Sequence, residues 1–523
     1  MQPNGTDIGN DVRTPPLIAV ARDAFLHDDL EACIRALDSA NSLSRAEKSE
    51  ATLLRARVLL RRYRFRDTVA LLANELRSFT IVDEAATARM LHGIAVARSG
   101  EIGRGLTLLT DLDEAAKTLE PHPTIRAEIS YWLAFAYWLK RDHRPTLDHA
   151  IAAEQANADV ISVRAACLRG YVAAARERYH DALKLFRWSL DAYGRCRERD
   201  DDLLGRIVLQ VSMLELALRS ANVGGTHTLP AQFGRIPESS LAGTGTFRFR
   251  IATYDAWLYA LDGDKREAYD LGRVAESLAP NDAWRVWVRA NRALLSVAFG
   301  DAEIAYVCAR DAEQLVQTVD WDSTADEQRI GLLLLTEALA RTDPPHASAI
   351  FERYEKITSD IDRSLLFNDD VRLWIVETWV RGLLSGIAGE ADQAWRAFKA
   401  VHNAARPLGL LWQTAQALIE LDSIPLAARP RGDNYLQAAA LLVRANFPRS
   451  FIARRLGRWM TVYRDPVAAK LAPRLREVLR HFLAAKPSKE VAATLGISEH
   501  TMKDYTEMLF RAFGARRSSG RTA

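Results

Sequence analysis

The segment most informative about the architecture runs from Leu168 to Leu190 and reads LRGYVAAARERYHDALKLFRWSL. Apolar and polar residues follow the period of an α-helix on both sides of a polar turn. Gly170 and Ala182 are small and let two helices approach closely, and Tyr179 and Phe186 are large enough to fill the space between them. The segment therefore predicts two short helices packed antiparallel.

The same pattern recurs from about Pro16 to Pro448, where the β-type alternation of apolar and polar residues is almost absent. It resembles the tetratricopeptide pattern in degenerate form. The spacing from Gly263 to Gly300 is 37 residues, against about 34 in that pattern, which indicates divergent repeats with variable connections. The resemblance implies an all-α fold, a tetratricopeptide-like α-solenoid. Further copies of the pattern include Gly93 with Gly105 and Leu109, Leu133 with Tyr137 and Ala153, Tyr259 with Ala268 and Ala275, and Gly382 with Gly389, Ala394 and Phe398.

Composition narrows the class of protein. The chain has 523 residues, of which 48% are hydrophobic, which suffices for a large core and excludes a disordered or fibrous chain. The four cysteines are far apart without a C-x-x-C pair, which favours neither a zinc site nor a disulfide framework. The N-terminus lacks a signal peptide, and no stretch is apolar over the roughly 18 residues of a membrane span. We therefore expect a cytoplasmic protein without a membrane partner.

Charge is distributed unevenly along the chain. The formal net charge is +3, but Pro448 to Ala523 holds 16 Lys and Arg against 6 Asp and Glu, a net of +10, and the remainder holds 54 against 61. A basic end on a mildly acidic body is typical of a protein that meets phosphate at that end.

Breaks in the helical pattern divide the chain. The longest break, Asn222 to Thr246, is rich in Gly, Pro, Ser and Thr and lacks periodicity. A second break runs from Pro425 to Asn434. The predicted organisation is a disordered N-terminus (1–15), a helical-repeat sub-array (16–221), an irregular linker (222–246), a second helical-repeat sub-array (247–447), a basic connector (448–470) and a C-terminal domain (471–523).

The C-terminal domain contains the sequence LAPRLREVLRHFLAAKPSKEVAATLGISEHTMKDYTEMLFRAFGARRS, from Leu471 to Ser518. Its spacing predicts a first helix, a short second helix beginning at Ser488 and ended by Gly496, and a third helix capped by Ser498. The predicted apolar face of the third helix carries Met502, Tyr505, Leu509 and Phe513, and its other face carries His500, Lys503, Asp504, Glu507 and Arg511.

This segment resembles the LuxR-type (GerE-like) helix-turn-helix family, chiefly through Lys489-Glu490-Val491-Ala492 and Leu495-Gly496-Ile497-Ser498. The resemblance covers about a tenth of the chain and implies a DNA-binding domain of a bacterial transcription regulator. The third helix would then lie in the major groove of double-stranded DNA. Carried over by position, His500, Lys503, Asp504 and Glu507 would lie on the DNA-facing side, the last three at base edges, and Lys489, Ser498, Thr501 and Arg511 would meet phosphates.

Several positions depart from the family pattern. Ala472, Leu475, Ala485 and Pro487 replace the usual Thr, Glu, Gly and Ser or Thr, which loosens the entry turns. Two carboxylates, Asp504 and Glu507, stand where basic or neutral groups are usual, so they must accept from cytosine or pair with Lys503 and Arg511. Soon after Gly514 the chain ends, where the family normally adds a dimerising helix, so a conventional dimer is not expected and the oligomeric state stays open.

The repeats suggest a concave groove for a peptide, a small ligand or a partner protein. Tryptophans could anchor such a ligand, but aromatics at helical spacing usually fill the interior of helix pairs, and this second interpretation is favoured. No ligand-binding residue is therefore assigned. The tryptophans concerned are Trp132, Trp138, Trp284, Trp287, Trp374 and Trp379.

The sequence gives no sign of an enzyme. His27-Asp28-Asp29 and His180-Asp181 are predicted to be exposed turn residues, and no phosphate-binding loop, metal site or cofactor site is expected. The leading hypothesis is a transcription regulator with a helical-repeat sensor. The alternative is an interaction scaffold whose helix-turn-helix tail does not bind DNA.

Overall fold

The computed structural model describes residues 17–40, 43–218, 234, 241–324, 326–359, 371–424, 438, 471–483 and 488–512. Within these ranges the chain is helical and contains no β-strand. The predicted fold class is confirmed: the chain is all-α, a tetratricopeptide-like α-solenoid with a small three-helix C-terminal region.

The helices follow one another with short connections. A single 3-10 turn, Trp321–Ser323, adds to them. In chain order the α-helices are α1 (Leu17–Leu26), α2 (Leu30–Ser39), α3 (Arg45–Arg61), α4 (Phe65–Glu75), α5 (Val82–Arg98), α6 (Ile102–Leu119), α7 (Pro123–Leu139), α8 (His143–Gln155), α9 (Asp159–Ala175), α10 (Tyr179–Tyr193), α11 (Asp201–Leu218), α12 (Leu241–Asp262), α13 (Lys265–Leu278), α14 (Asp282–Phe299), α15 (Ala302–Val316), α16 (Asp326–Thr342), α17 (Pro344–Thr358), α18 (Val371–Ile387), α19 (Ala391–Ala405), α20 (Leu411–Ser423), α21 (Pro473–Leu483), α22 (Ser488–Leu495) and α23 (Glu499–Ala512).

Small residues set the distance between paired helices, as the repeat pattern predicts. A Cβ atom added to Gly170 would stand 2.8 Å from the Phe186 ring, and one added to Gly105 would stand 2.5 Å from the backbone nitrogen of Ala97. Neither distance is possible for a real side chain, so α9 and α6 approach their neighbours at glycine. Pairing of this kind buries one face of each helix in a shared core.

A residue with positive φ recurs at the turn between the two helices of a repeat. Glycine fills some of these turns, for example Gly100 (φ 112°) and Gly300 (φ 80°). Asp28 (φ 61°) and Tyr63 (φ 59°) fill others, although left-handed backbone is unfavourable for residues with a side chain. The same backbone conformation therefore recurs at these turns, even where another residue replaces glycine.

The chain forms two compact units, residues 1–172 with 184–207 and residues 173–183 with 208–523, here called unit 1 and unit 2. This division lies before the irregular linker expected at 222–246. Part of that expectation is wrong, because α12 begins at Leu241. A glycine inside a helix lowers its stability by only about 1 kcal/mol. Burial of Phe249, Ala252 and Ala256 further along α12 outweighs this cost.

Several other expectations lie outside the described residues. They are the disordered N-terminus (1–15), the linker from 222 to 240 except Gly234, the break at 425–434, the connector (448–470), Ala485 and Pro487, and Phe513 with the residues after it.

Candidate functional site

The three C-terminal helices pack around buried apolar side chains that form part of a core in unit 2. Leu475, Val478 and Leu479 of α21 are buried, as the sequence predicts, and so are Val491, Ala492 and Leu495 of α22. Two residues of α23, Met502 and Leu509, belong to this core at 2% and 4% exposure. One side of α23 is therefore fixed inward, and the opposite side is left for solvent or a partner.

The turn between α22 and α23 has the predicted form. Gly496 adopts φ 63°, which only glycine accepts without strain, and the Ile497 amide donates to the Ala492 carbonyl at 2.9 Å. Ser498 then caps α23, because its Oγ accepts from the Thr501 amide at 3.0 Å. Both features depend on residues that are close in sequence, and both could be predicted from it.

One contact of the turn was not foreseen. Arg474 donates from Nη2 to the carbonyl of Leu495, the last residue of α22, and from Nη1 to Glu477 at 2.9 Å. The guanidinium thus satisfies a carbonyl that the end of α22 leaves free. Arg474 positions the turn by linking α21 to it, across 21 residues of sequence.

The outer face of α23 carries mixed charge. His500, Lys503, Asp504 and Arg511 are exposed, and Glu507 is half-buried. Glu507 lies 3.9 Å from Arg511, which is one of the pairings expected for it. Asp504 lies 3.9 Å from His500, whereas the sequence analysis suggested Lys503 as its partner. Lys503 makes no ion pair with any residue of the described C-terminal helices and projects into solvent.

The residues expected to meet phosphates flank this face. Lys489 is exposed in the first turn of α22, and Ser498 is exposed at the start of α23. Thr501 is half-buried, and its hydroxyl shares a hydrogen bond of 2.8 Å with the Ser498 hydroxyl. All eight sequence-predicted residues therefore belong to α22, the turn and α23. Lys489, Lys503 and Arg511 are the exposed cations among them.

Unit 2 encloses a second candidate site, a cavity of about 290 Å³. Most of its lining side chains come from α12, α14, α16, α18 and α20, and α11 and α19 contribute one each. Of these helices, α12, α14, α16 and α18 are the first helices of successive pairs. Most of the lining is apolar or aromatic, with Trp257, Trp287, Trp379 and Trp412 in its wall. The polar lining side chains are Asn291, Glu337, Arg341, Gln413 and Gln416. Cavities that bind small molecules commonly have this composition, at roughly 300–1,000 Å³.

The tryptophans singled out in the sequence mainly fill the interior, as favoured. Trp284, Trp287 and Trp379 are 5–7% exposed, and Trp132 is half-buried. Trp374 is the exception, at 44% exposure. The two interpretations overlap at Trp287 and Trp379, which are buried and also line the cavity.

Unit 1 encloses a smaller cavity, about 90 Å³, surrounded by charge. Arg57 binds Glu128 through two hydrogen bonds of 2.5 and 2.7 Å. Arg164 lies 2.7 Å from Asp200 and 3.3 Å from Glu198. Further pairs are Arg61 with Asp28 and Glu198, and Arg206 with Asp202.

This network sets the pKa values of its members. Burial opposes charge on Asp200, but the neighbouring Arg61 and Arg164 outweigh it and hold the pKa of that carboxyl well below its usual range. Burial raises the pKa of Tyr131 to about 12. It also raises the pKa of Asp28 to about 6, with a further rise from the charge of Asp200 and an opposing effect of Arg61.

Asp28 is therefore not the exposed turn residue that the sequence suggested. Its side chain is 14% exposed and lies 2.5 Å from Arg61. The turn places it inward because φ at Asp28 is 61°, and no local sequence signal reveals that orientation.

Two general properties accompany these sites. No helix in the described ranges combines the length and apolar character needed to cross a bilayer. All four cysteines are buried and unpaired, and burial raises the pKa of the Cys167 thiol to about 12, which keeps it protonated.

No protein-family model matches the sequence, and a search of curated proteins finds no relative. Several solved structures resemble the fold. A Rap protein complexed with competence and sporulation factor is 10% identical, with a TM-score of 0.41 over 72% of this chain and 98% of its own. The apo form of RapI is 12% identical, with a TM-score of 0.42 over 71% and 96%.

The apo form of the quorum sensor NprR from B. thuringiensis is also 12% identical, with a TM-score of 0.38 over 74% of this chain and 97% of its own.

Proposed function

We propose that this protein is a DNA-binding transcription regulator, in which the C-terminal helices contact double-stranded DNA and the helical repeats bind a ligand or partner that changes this contact. The observation that carries the proposal is the exposed face of α23. Lys503 and Arg511 project from it, while Lys489 is exposed at the start of α22.

Charge and shape support the proposal. The region from Pro448 onward has 16 Lys and Arg against 6 Asp and Glu, and cations of this kind attract phosphates over a distance. A helix with an inward apolar stripe and an exposed polar stripe fits the major groove, where side chains distinguish base pairs. The resemblance to the LuxR-type family lies in the same region, chiefly in Lys489-Glu490-Val491-Ala492 and Leu495-Gly496-Ile497-Ser498.

The carboxylates of α23 favour a second candidate, a scaffold whose tail contacts protein. Asp504 is exposed and next to Lys503, so it would repel a nearby phosphate. Under the DNA-binding proposal, Asp504 instead accepts from a cytosine amino group, which makes it a source of sequence preference.

Selection of pooled random duplex DNA by the full-length protein, followed by sequencing, tests the proposal. An enriched motif is expected, and Lys503→Ala should weaken binding by about 1–3 kcal/mol, which is roughly five- to 150-fold, if Lys503 reads a base. Measured at several salt concentrations, loss of one phosphate contact instead lowers the salt slope by about one. Lys356→Ala, an exposed lysine of α17, is the matched control and should leave binding unchanged.

Two other results would argue against sequence-specific regulation. Binding without a motif and with steep salt dependence would mean that the basic region only holds phosphate. No binding at any salt concentration, with or without ligand, would favour the scaffold.

A further inference from the structure

The cavity of unit 2 is lined by repeated stripes along consecutive first helices. On α16 the lining residues include Leu334, Glu337 and Arg341, spaced at three and four residues. On α14 the corresponding stripe contains Trp287, Asn291 and Leu294. Residues at this spacing share one helix face, so the fold itself directs these side chains to a common space.

Arg341 is one of the residues that line this space, and it has an unusual arrangement of donors. Its Nη1 lies 2.8 Å from Glu420 Oε1. Its Nε and Nη2 are buried and have no hydrogen-bond partner among the described residues. In a guanidinium, Nε and Nη2 form one edge with two parallel N–H groups, which is the edge that binds paired acceptors. A buried donor without a partner is unfavourable, and here a whole edge is left in that state.

The charges around Arg341 decide what kind of acceptor fits. Burial disfavours the charged guanidinium, but the carboxylates of Glu420 and Glu337 outweigh burial and raise the pKa of Arg341. Arg341 therefore stays charged and is already compensated by those carboxylates. An anionic ligand would add a further negative charge next to both of them, whereas a neutral carbonyl oxygen could accept from the free edge without that repulsion.

Gln413 supplies the complementary group. Gln413 lines the same cavity, and its Oε1 is buried and accepts no hydrogen bond from the described residues. A ligand that satisfies both residues needs an acceptor for Arg341 and an N–H or O–H donor for Gln413.

Another amide in the wall, that of Asn291, is already hydrogen-bonded. Asn291 accepts from Trp257 Nε1 at 2.9 Å and donates to the Trp287 carbonyl at 2.9 Å. These bonds hold Trp257 in place and leave Asn291 as part of a fixed wall. The apolar surface of the cavity is thus preorganised, which lowers the cost of binding.

We infer that this cavity binds a neutral molecule with an apolar or aromatic body and an amide-type head. Arg341 and Gln413 turn toward this head, so that its carbonyl accepts from Arg341 and its N–H donates to Gln413. A small amide and the capped end of an apolar peptide share this chemistry. The inference deepens the sensing half of the proposed function, but the binding that it describes does not require DNA.

Isothermal titration calorimetry of the full-length protein tests the inference with N-acetyl-L-phenylalaninamide and N-acetyl-L-leucinamide. Their carboxylate counterparts, N-acetyl-L-phenylalanine and N-acetyl-L-leucine, carry a negative charge at one end and lack the N–H donors of the terminal amide. The amides should bind at about 10 µM to 1 mM, as expected for ligands of this size, and the carboxylates at least fivefold more weakly. Tighter binding of the acetylated Leu-Phe-Leu amide would identify a peptide as the source, and equal or weaker binding a small amide.

Variants place the binding at this cavity. Arg341→Lys keeps a cation beside Glu420 but removes the paired donors, and it should weaken amide binding at least fivefold. Arg381→Lys is the matched control, because Arg381 lies 2.8 Å from Glu355 in the same unit and does not line the cavity. Gln413→Leu removes the acceptor and should also weaken binding, and it provides a second test if Arg341→Lys does not fold.

Three results would overturn the inference. The first is that the carboxylates bind as tightly as the amides. The second is that none of the probes gives a heat of binding up to 5 mM, which is about five times the highest dissociation constant expected. The third is that amide binding survives both Arg341→Lys and Gln413→Leu. Because the titration contains no DNA, a failure of DNA binding and a failure of ligand binding are separate results.

Discussion

Unit 1 and unit 2 enclose cavities of opposite character. The cavity of unit 1 is about 90 Å³ and is surrounded by arginines paired with carboxylates. The cavity of unit 2 is about 290 Å³, mostly apolar, and leaves Arg341 and Gln413 with buried atoms that bond to nothing in the described residues. The same repeat architecture thus produces one interior in which the charged groups are paired and one in which buried polar atoms lack hydrogen bonds from the described residues.

The difference distinguishes charged side chains that are paired within the fold from polar side chains whose unpartnered atoms could bind a ligand. A buried ion pair contributes little net stability, but removing one partner is costly because the other is left uncompensated. Removing an atom that has no partner carries no such cost. Substitutions in the two units should therefore differ in their effect on the free energy of unfolding, even where the residue types are alike.

The largest effect is expected for Arg57→Met in unit 1. Glu128 has a side chain 6% exposed and receives two hydrogen bonds from Arg57. Methionine fills the space but removes the ion-pair partner of the carboxylate, with a 3.5 Å hydrogen bond from Trp132 Nε1 remaining. The free energy of unfolding should therefore fall by about 3–5 kcal/mol. Urea unfolding of the full-length protein, with hydrogen exchange read separately on α3 and α7, measures the change.

Arg55→Met provides the control on the same helix. Arg55 pairs with Asp38 at 2.9 Å, but the two side chains are 43% and 64% exposed. Exposed pairs contribute about 0–1 kcal/mol, so Arg55→Met should have little effect. Equal losses for the two variants would mean that burial of the pair is not what matters in unit 1.

A smaller, pH-dependent effect is expected at Asp28. Its pKa of about 6 in the folded chain lies above the ordinary 3.8, so the folded state binds the proton more tightly than the unfolded state. This contribution is fully present below pH 4 and is lost as the pH rises through 6. Asp28→Asn stays neutral, and relative to wild type it should therefore gain about 2 kcal/mol between pH 4.5 and 7.5.

Thermal unfolding of both proteins across that pH range checks the sign. The pKa of Asp200 is lowered by Arg61 and Arg164 despite burial, so Asp200 changes stability only below about pH 4 and does not interfere. A difference between wild type and Asp28→Asn that stays constant with pH would show that Asp28 is ionised throughout, in a pair with Arg61.

The sequence predicted the features that depend on near neighbours. Gly496 and Ser498 defined the turn before α23, and Gly170 with Phe186 defined a helix pair, because each involves residues within one or two turns of helix or one repeat. The charge network of unit 1 could not be predicted, since Arg57 and Glu128 are 71 residues apart. The spacing of the tryptophans indicated which residues share a helix face. Arg341 became a candidate ligand-binding residue only when the structure showed that it lines the same cavity and has unpartnered donor atoms.

The smallest effect is expected for Gln413→Leu in unit 2, and its sign matters most. Gln413 Oε1 is buried without a partner in the described residues, so replacing it by an apolar group of similar volume should leave stability unchanged or raise it by up to about 1 kcal/mol. Asn291→Leu is the contrasting variant, because both polar atoms of Asn291 are bonded, and it should cost about 1–3 kcal/mol. Urea unfolding measures both. If Gln413→Leu cost as much as Asn291→Leu, Gln413 would be a paired structural residue, and the contrast between the two interiors would fail where the ligand proposal depends on it.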